Sequence, residues 1–278
     1  MKVIGITGSS GNLGKHFFKK YKKKYKFRFF KDNITKKKDV KKWVEKNKFD
    51  FILHLAAIVA ISDVNRNPKK SFNVNVNGTE NLINFIIEKK TKLHFIYLSS
   101  AQVYDFNKQK IKENYKKKPI SIYGKQKLLS EQYLKQNLKK NSYINLTILR
   151  VFSFTSFLQK TSFFIPSIYN KIKNTTNDTF YSEKFLQKRD FIHIEDLCRS
   201  IDFTISKKIY GTYNIGSGKS VSIFKVIDYF GKKFSKKIKY INSNYKLQKK
   251  NLIPDISKFK KKGFKIKYSF LDILKDFK

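Results

Sequence analysis

An α/β fold built on a doubly wound parallel sheet is the architecture this chain predicts, with a smaller C-terminal lobe attached. Three observations carry the prediction. The strand-like runs are apolar throughout instead of alternating, which marks strands covered on both faces. Amphipathic stretches separate them, so that consecutive strands are joined by right-handed crossovers. Gly8, Gly11 and Gly14 fall as GxxGxxG between the first strand and the first helix, the turn with which a Rossmann-type sheet begins.

The elements follow in order. Residues 2–6 form a β-branched run ended by Thr7 and Gly8, a buried strand. Residues 13–24 read as a helix with Phe17 and Phe18 inward and lysines outward. Residues 27–30 are the second strand, 39–46 a short amphipathic helix, and 51–55 a third strand running into Ala56 and Ala57. Residues 81–88 belong to another helix, and 93–98 are a strand that stops at Ser99 and Ser100. Residues 121–138 make a long helix with Ser121 as N-cap, and 144–151 the next strand. Beyond Val151 the pattern loosens, and 154–179 mix aromatics, Lys and Asn without a clear period. Residues 189–203 are a strand feeding a helix, with Glu195 and Asp196 suited to its first turn. Residues 213–215 are a short strand ended by Gly216 and Gly218, 221–230 a helix, and 232–239 a lysine-rich connector. The expected division is 1–151 for a dinucleotide-binding domain and 152–278 for a substrate-binding lobe, some of whose segments return to the first domain.

Composition bounds the function classes. Hydrophobic residues at 40% and aromatics at 16% supply a substantial core. The formal net charge of +42 has two readings. One is a polyanion partner, nucleic acid or an anionic membrane. The other, preferred here, is compositional drift. Alanine occurs only at Ala56, Ala57, Ala60 and Ala101, and arginine only at Arg28, Arg66, Arg150, Arg189 and Arg199, while residues with AT-rich codons fill the rest. No specific nucleic-acid partner is therefore expected, although the charge steers anionic ligands toward the protein. Cys198 is the single cysteine, which excludes an internal disulfide and a Cys-based metal site and suits a reducing cytoplasm. No apolar run approaches a membrane span, and MKVIGITG is interrupted by glycines too early for a signal peptide. A cytoplasmic location without a membrane partner is expected.

Two segments carry chemistry. At the glycine turn, backbone can approach a phosphate closely, and the following helix N-terminus offers N–H groups to a pyrophosphate. The spacing departs from the usual GxGxxG. Asp32 is the acid close behind the second strand, either for a ribose hydroxyl or as a solvated loop residue, and its neighbours Arg28 and Lys31 suit a 2′-phosphate. NAD and NADP both remain open. Tyr123 and Lys127 stand at i and i+4, on one helix face. A free phenol with a pKa of about 10 is a poor base at neutral pH, but a nearby ammonium favours the phenolate. Such a pair can move a proton on an alcohol or sugar oxygen while hydride moves at the carbon. Ser100, at a strand end, offers a second hydroxyl to the same oxygen. His54, His94 and His193 share no metal-ligand spacing and read as packing or surface residues, and His16 as an ordinary helix residue. No metal is expected.

ITGSSGNLG (6–14), HLAA (54–57), NVNGT (75–79), SSAQVY (99–104), YGKQK (123–127), RDFIHIEDL (189–197) and YNIGSG (213–218) occur in that order. The ordered set resembles the extended short-chain dehydrogenase/reductase superfamily, in particular its NAD-dependent nucleotide-sugar epimerase/dehydratase family, over nearly the whole chain. The resemblance implies NAD or NADP as cofactor, a nucleotide-sugar substrate, and a 4-epimerase or 4-keto-reductase acting at C4 of the sugar. It allows a homodimer. Gly8, Gly11, Asn12, Leu13 and Gly14 would line the pyrophosphate, with Asp32 toward the ribose. Ala56 and Ala57 would pass beside the dinucleotide, and Asn75 would brace the fold near it. Ser100, Tyr123 and Lys127 match the catalytic serine, tyrosine and lysine; Lys127 would also hold the nicotinamide ribose, and Ser100 the substrate. Arg189 matches an arginine that meets the sugar nucleotide's diphosphate, a task suited to a guanidinium fork. A surface pair of Arg189 with Asp190 is the competing reading.

The departures are informative. Ala101-Gln102 stand where 4,6-dehydratases of the family carry an Asp-Glu pair, which disfavours water elimination. The stretch between Phe27 and Phe51 is short for an epimerase and resembles the compact 4-keto-reductase branch. LRVFSFTSF replaces the usual Tyr-Gly-Pro turn, which bears on the substrate pocket more than on the cofactor site. Residues 254–277 resemble the family's closing helical region. A non-catalytic dinucleotide-binding sensor, or a nucleic-acid-binding relative of the same fold, is the competing class. The charge motivates it, and Tyr123 and Lys127 argue against it.

Overall fold

The apolar runs near the front of the chain pair into a six-stranded sheet, and the amphipathic stretches between them become its helices. The computed structural model describes residues 1–105, 110–183, 188–241 and 251–278. The chain runs β1 (Val3–Thr7), α1 (Asn12–Tyr21), β2 (Lys26–Phe30), α2 (Lys37–Lys46) and β3 (Phe51–His54). Two short helices follow, α3 (Ile61–Arg66) and α4 (Pro68–Phe72), then a π-helical turn (Asn73–Asn77) that leads into α5 (Gly78–Glu88). Next come β4 (Leu93–Ser100), a 3-10 turn (Ala101–Val103), α6 (Ile122–Lys139) and β5 (Ile144–Val151). The remainder is β6 (Ser153–Thr155), α7 (Phe164–Lys173), β7 (Thr179–Glu183), β8 (Lys188–Arg189), β9 (Phe191–His193), α8 (Ile194–Ser206), β10 (Gly211–Ile215), β11 (Val221–Ser222), α9 (Ile223–Lys233), β12 (Lys237–Ile241), α10 (Ser257–Lys260) and α11 (Phe270–Lys275).

Strand order in the main sheet is β10-β5-β4-β3-β1-β2. β1 pairs parallel with β2 and β3, β3 with β4, and β4 with β5. From β1 the chain goes to β2 on one side and to β3 on the other. The carboxyl ends of β1 and β3 therefore flank a topological switch point, the place where open α/β sheets bind ligands. At the edge, β2 exposes Lys26 and Arg28, charges that discourage further strand pairing.

Two compact units divide the chain. The first comprises Met1–Asp105, Glu113–Val151 and Cys198–Asn214, and the second the described parts of Phe106–Lys112, Phe152–Leu197 and Ile215–Lys278. In the first unit, Ile52, Phe95 and Ile148 of the sheet pack with Leu82 and Ile86 of α5 and Leu134 of α6. In the second, Ile168 and Ile172 of α7 pack with Val226 and Phe230 of α9 and with Ile273 and Leu274 of α11. Asp196 accepts the amides of Lys267 and Tyr268, which ties the C-terminal segment to the start of α8.

Four details differ from the sequence expectations. Phe18 is 36% exposed: Leu13, Phe17 and Tyr21 recur every fourth residue and take the buried face of α1, leaving Phe18 to pack edge-on against Phe27 and Phe29. The stretch 154–179 holds α7, whose Ile165, Ile168, Tyr169 and Ile172 make a helical stripe that the surrounding Lys and Asn obscure. The lysine-rich 232–239 stretch is divided between the end of α9 and β12, which pairs parallel with β7. β4 continues through Ser99 and Ser100 because both pair with β5, opposite Arg150 and Val151. Among the described residues, no helix is long and apolar enough to cross a membrane.

Candidate active site

The turn after β1 owes its shape to Gly8. Its φ of +71° lies in the left-handed region, and a Cβ there would stand 2.6 Å from the Ala56 amide nitrogen. The turns after β1 and β3 are thus in backbone contact, and they are laced together. The Leu55 amide donates to the Thr7 carbonyl (3.2 Å) and the Ala56 amide to Thr7 Oγ1 (3.2 Å). Gly11 occupies the N-cap of α1, so no N-cap side chain closes that end of the helix, and Asn12 and Leu13 form its first turn. Leu13 is buried, so its side chain serves the core and only its backbone faces the turn. A groove of about 310 Å³ opens here, lined among others by Gly8, Ser9, Lys31, Asp32, Asn33 and Ala56. Glycine backbone, a helix N-terminus and an acid beside a lysine fit the pyrophosphate and ribose of a dinucleotide. Ser9 and Ser10 join the predicted residues in this lining, which takes in Lys31 but not Arg28.

Behind the groove runs a buried polar chain. His54 bonds Thr7 Oγ1 through Nδ1 (2.6 Å) and Thr79 Oγ1 through Nε2 (2.9 Å). Burial, reinforced by Lys127, pushes its pKa down to about 3, so it is a neutral strut. Asn75, on the π-helical turn, accepts from the Ile58 amide (2.8 Å) and donates to the Ile58 carbonyl (2.9 Å) and to Gln126 Oε1 (2.8 Å). Its amide is used in bracing the loop after Ala57 against α6. His94 bonds Thr147, and His193 bonds Asp276 and the Glu195 amide. Among the described residues no group of three His, Cys, Asp or Glu is placed to hold a metal ion.

At the carboxyl end of β4 the three candidate catalytic side chains, Ser100, Tyr123 and Lys127, come close together. Ser121 caps α6 by accepting the Gly124 amide (3.0 Å), which sets Tyr123 and Lys127 on the first turns of the helix. The Ser100 hydroxyl accepts the Gln102 amide (3.1 Å) and lies near enough to Tyr123 to favour its ionised form. Lys127 Nζ donates to the Leu98 carbonyl (2.8 Å), lies 4.7 Å from the Tyr97 ring centroid and 6.0 Å from that of Tyr123. Burial raises the Tyr123 phenol above its ordinary value, and the nearby Ser100 hydroxyl offsets this only in part. Burial also pushes Lys127 down to about 7, against the pull of Glu131. The sequence reading expected a phenol made acidic by its lysine. Here desolvation outweighs the attraction and shifts both groups toward their neutral forms, Lys127 remaining part-protonated at neutral pH.

The start of α6 packs against the 3-10 turn with no room to spare. A Cβ on Gly124 would fall 2.1 Å from the Gln102 carbonyl oxygen, a backbone atom. Gly124→Ala is expected to cost about 2–3 kcal/mol of stability by overpacking and to displace Tyr123. Thermal melting and turnover of the variant check this together, and a parent-like melt with parent-like turnover would refute the close approach.

A profile of the NAD dependent epimerase/dehydratase family matches residues 4–216. The chain belongs to this family. It is 30% identical to a GDP-6-deoxy-D-talose 4-dehydrogenase of Aggregatibacter actinomycetemcomitans, over 81% of this chain and 78% of that protein. It is 29% identical to a UDP-glucose 4-epimerase of Mycoplasma genitalium, over 82% and 74% respectively. Its fold matches that of RMD from Pseudomonas aeruginosa, solved with NADPH, at a TM-score of 0.90 with 19% identity, covering 100% of this chain and 97% of that one.

In this epimerase/dehydratase chain, Ser100 is followed by buried Ala101 and then Gln102, so no carboxylate stands next to the serine. Arg189 lies on β8 of the second unit, its guanidinium 5.6 Å from the Phe164 ring centroid. Burial lowers its pKa from the ordinary arginine value. Asp190 is turned to other use: its carboxylate takes the Ser217 amide (2.8 Å), the Ser217 hydroxyl (2.7 Å) and the Lys219 amide (3.0 Å). Asp190 is therefore a buried brace for the 217–219 loop, unlike the surface pair considered from the sequence.

Proposed function

We propose that this chain reduces a 4-keto nucleotide sugar at C4, with Ser100, Tyr123 and Lys127 as its catalytic residues. The observation that carries the reading is the placement of buried Tyr123 and Lys127 on the first turns of α6, at the end of a strand where Ser100 is followed by Ala101-Gln102 and not by a carboxylate. A phenol held protonated at neutral pH is the form a reduction needs, because the C4 oxygen must gain a proton as the carbon gains hydride. When bound, a nicotinamide dinucleotide supplies that hydride. Tyr123 gives its proton to the C4 oxygen, and the Ser100 hydroxyl hydrogen-bonds the same oxygen. Lys127, which burial leaves with a pKa of about 7 and so part-charged at neutral pH, stabilises the resulting phenolate in its ammonium form until solvent returns the proton. The Ala101-Gln102 dipeptide supports reduction over elimination, which requires an acid and a base beside the serine.

A 4-epimerase is the second reading, favoured by the similarity to the Mycoplasma genitalium protein. One experiment separates the two. The purified chain is given NADH or NADPH with a nucleotide-linked 4-keto-6-deoxyhexose, and separately a trace of NAD with UDP-glucose. Stoichiometric loss of nicotinamide absorbance in the first assay supports the reductase. Formation of the C4 epimer without net cofactor consumption in the second overturns it. The first assay also reads the preference between NADH and NADPH, which Lys31 and Asp32 would set.

Arg189 is assigned the diphosphate of the substrate. Arg189→Ala is expected to raise KM for the nucleotide sugar about tenfold or more with kcat changed little, the pattern of lost ground-state binding. Unchanged kinetics would reduce Arg189 to a packing residue beside Phe164.

A further inference from the structure

α6 carries a further ionisable group toward the end of β4. Glu131 lies one helical turn past Lys127, and both it and Arg150 of β5 have side chains only 1% exposed. They form a two-pronged pair, Arg150 Nε to Oε1 at 2.9 Å and Nη2 to Oε2 at 2.6 Å. The remaining Nη1 donates to Tyr104 Oη (2.6 Å) and to the Glu113 carbonyl (2.9 Å). Glu131 Oε1 also accepts the Ser99 hydroxyl at 2.5 Å. Ser99 and Arg150 are register partners across β4 and β5, so one carboxylate from the helix binds both strands at the same level. Two consecutive residues of β4 are thereby tied to one helix, Leu98 by Lys127 and Ser99 by Glu131, immediately before Ser100.

A buried ion pair contributes little net stability, because desolvation offsets the attraction. Its place beside the reactive side chains points to geometry and charge instead. We propose that Glu131, anchored by Arg150, is a positioning residue: it fixes Ser99, and through it the Ser100 hydroxyl, and it supplies the counter-charge for the Lys127 ammonium. The proposal rests on the reductase reading, which gives Ser100 and Lys127 their roles. The groups facing Lys127 are Tyr97 of β4, Tyr123 and Glu131 of α6, and the neutral His54 of β3. Glu131 is the acid among them, and its field opposes the burial that drives Lys127 toward its neutral form.

Three variants of the full chain test this. Glu131→Gln keeps an acceptor for Ser99 but loses the charge. Glu131→Asp keeps the charge but draws back from Ser99. Glu131→Gln combined with Arg150→Met leaves no buried charge unpaired, and it serves if the single variant does not fold. Two quantities are read: kcat against pH, and the titration of Lys127 by NMR of protein labelled with 13C at lysine Cε. The Lys127 signal is assigned by its loss in Lys127→Met, and this readout needs no substrate. In Glu131→Gln and in the double variant, the Lys127 midpoint is expected to fall by about one pH unit, with the alkaline limb of kcat moving the same way. In Glu131→Asp the midpoint should stay, while kcat falls about tenfold to a hundredfold through a displaced Ser100. An unchanged Lys127 midpoint in the charge-removing variants overturns the electrostatic role. Parent-like kcat in Glu131→Asp overturns the positioning role. A lowered melting temperature with a parent-like pH profile assigns the pair to folding alone and overturns both. Parent-like turnover in Tyr123→Phe would instead sink the reductase reading, leaving the NMR result on Glu131 intact.

Discussion

Tyr123→Phe is expected to lower kcat about a thousandfold, the scale on which positioned proton transfer contributes, while fold and dinucleotide binding survive. The side chain is buried, and phenylalanine fills the same space without the hydroxyl. Removing a phenol whose ionisation burial already opposes leaves no charge behind. Stability should therefore change little. The cradle at Gly8, Gly11 and the start of α1 is built from other residues, so NADH affinity measured by fluorescence titration should match the parent. Single-turnover kinetics with a 4-keto nucleotide sugar read the chemical step apart from binding. Turnover near the parent's would remove Tyr123 from the mechanism. A variant that neither turns over nor binds NADH would mean that the phenol holds the site together and does not simply transfer a proton.

The sequence was most legible where one physical rule dominates. β1, β3, β4 and β5 are buried on both faces, so they appear as mainly apolar runs, and their boundaries agree with the structure to within two residues. The glycine turn was readable because Gly8 has no substitute at a φ of +71° against the Ala56 backbone. Ser121 could be read as a cap because its hydroxyl has a local task. The second unit was harder. The stripe on α7 consists of Ile and Tyr set among Lys and Asn, and β7 and β12 are short strands with exposed residues. In such segments tertiary packing, not local pattern, decides the element. In the site, sequence pattern found the tyrosine, lysine and serine but not the charge state, since desolvation depends on neighbours distant in the chain. Glu131 and Arg150 are not marked by any motif, but each leaves a trace in the sequence. Arg150 interrupts an otherwise apolar strand, ILRVF, and Glu131 is the sole acid on α6. A lone charge in a buried run requires a partner, and that requirement could have been pursued from the sequence.

Lys127→Met is expected to abolish turnover and yet to raise the melting temperature at neutral pH. The folded protein holds this lysine near 7, well below its ordinary value of about 10.5, and burial is the cause. Between those two values the unfolded chain binds more protons at this position than the folded one, so the group's contribution to stability increases as pH rises. Conversely, that contribution is lost as pH falls toward 7, and below the folded value the full penalty of a buried ammonium remains. Methionine fills a similar volume with no charge. Against this gain stands the lost bond to the Leu98 carbonyl, worth about 1 kcal/mol, whereas the burial penalty is on the order of a few kcal/mol. Glu131 is not orphaned by the change, because Arg150 already pairs with it. The excess melting temperature of the variant over the parent should therefore be largest near pH 7 and should shrink as pH approaches 10. Comparing the two proteins at each pH cancels the titration of the many other lysines. Such an outcome makes Lys127 a residue kept for catalysis at the expense of stability. A variant less stable than the parent at pH 7, or a difference that does not vary with pH, would mean that burial does not lower the Lys127 pKa, and the proton arithmetic of the proposed reduction would have to start from a lysine fully charged at neutral pH.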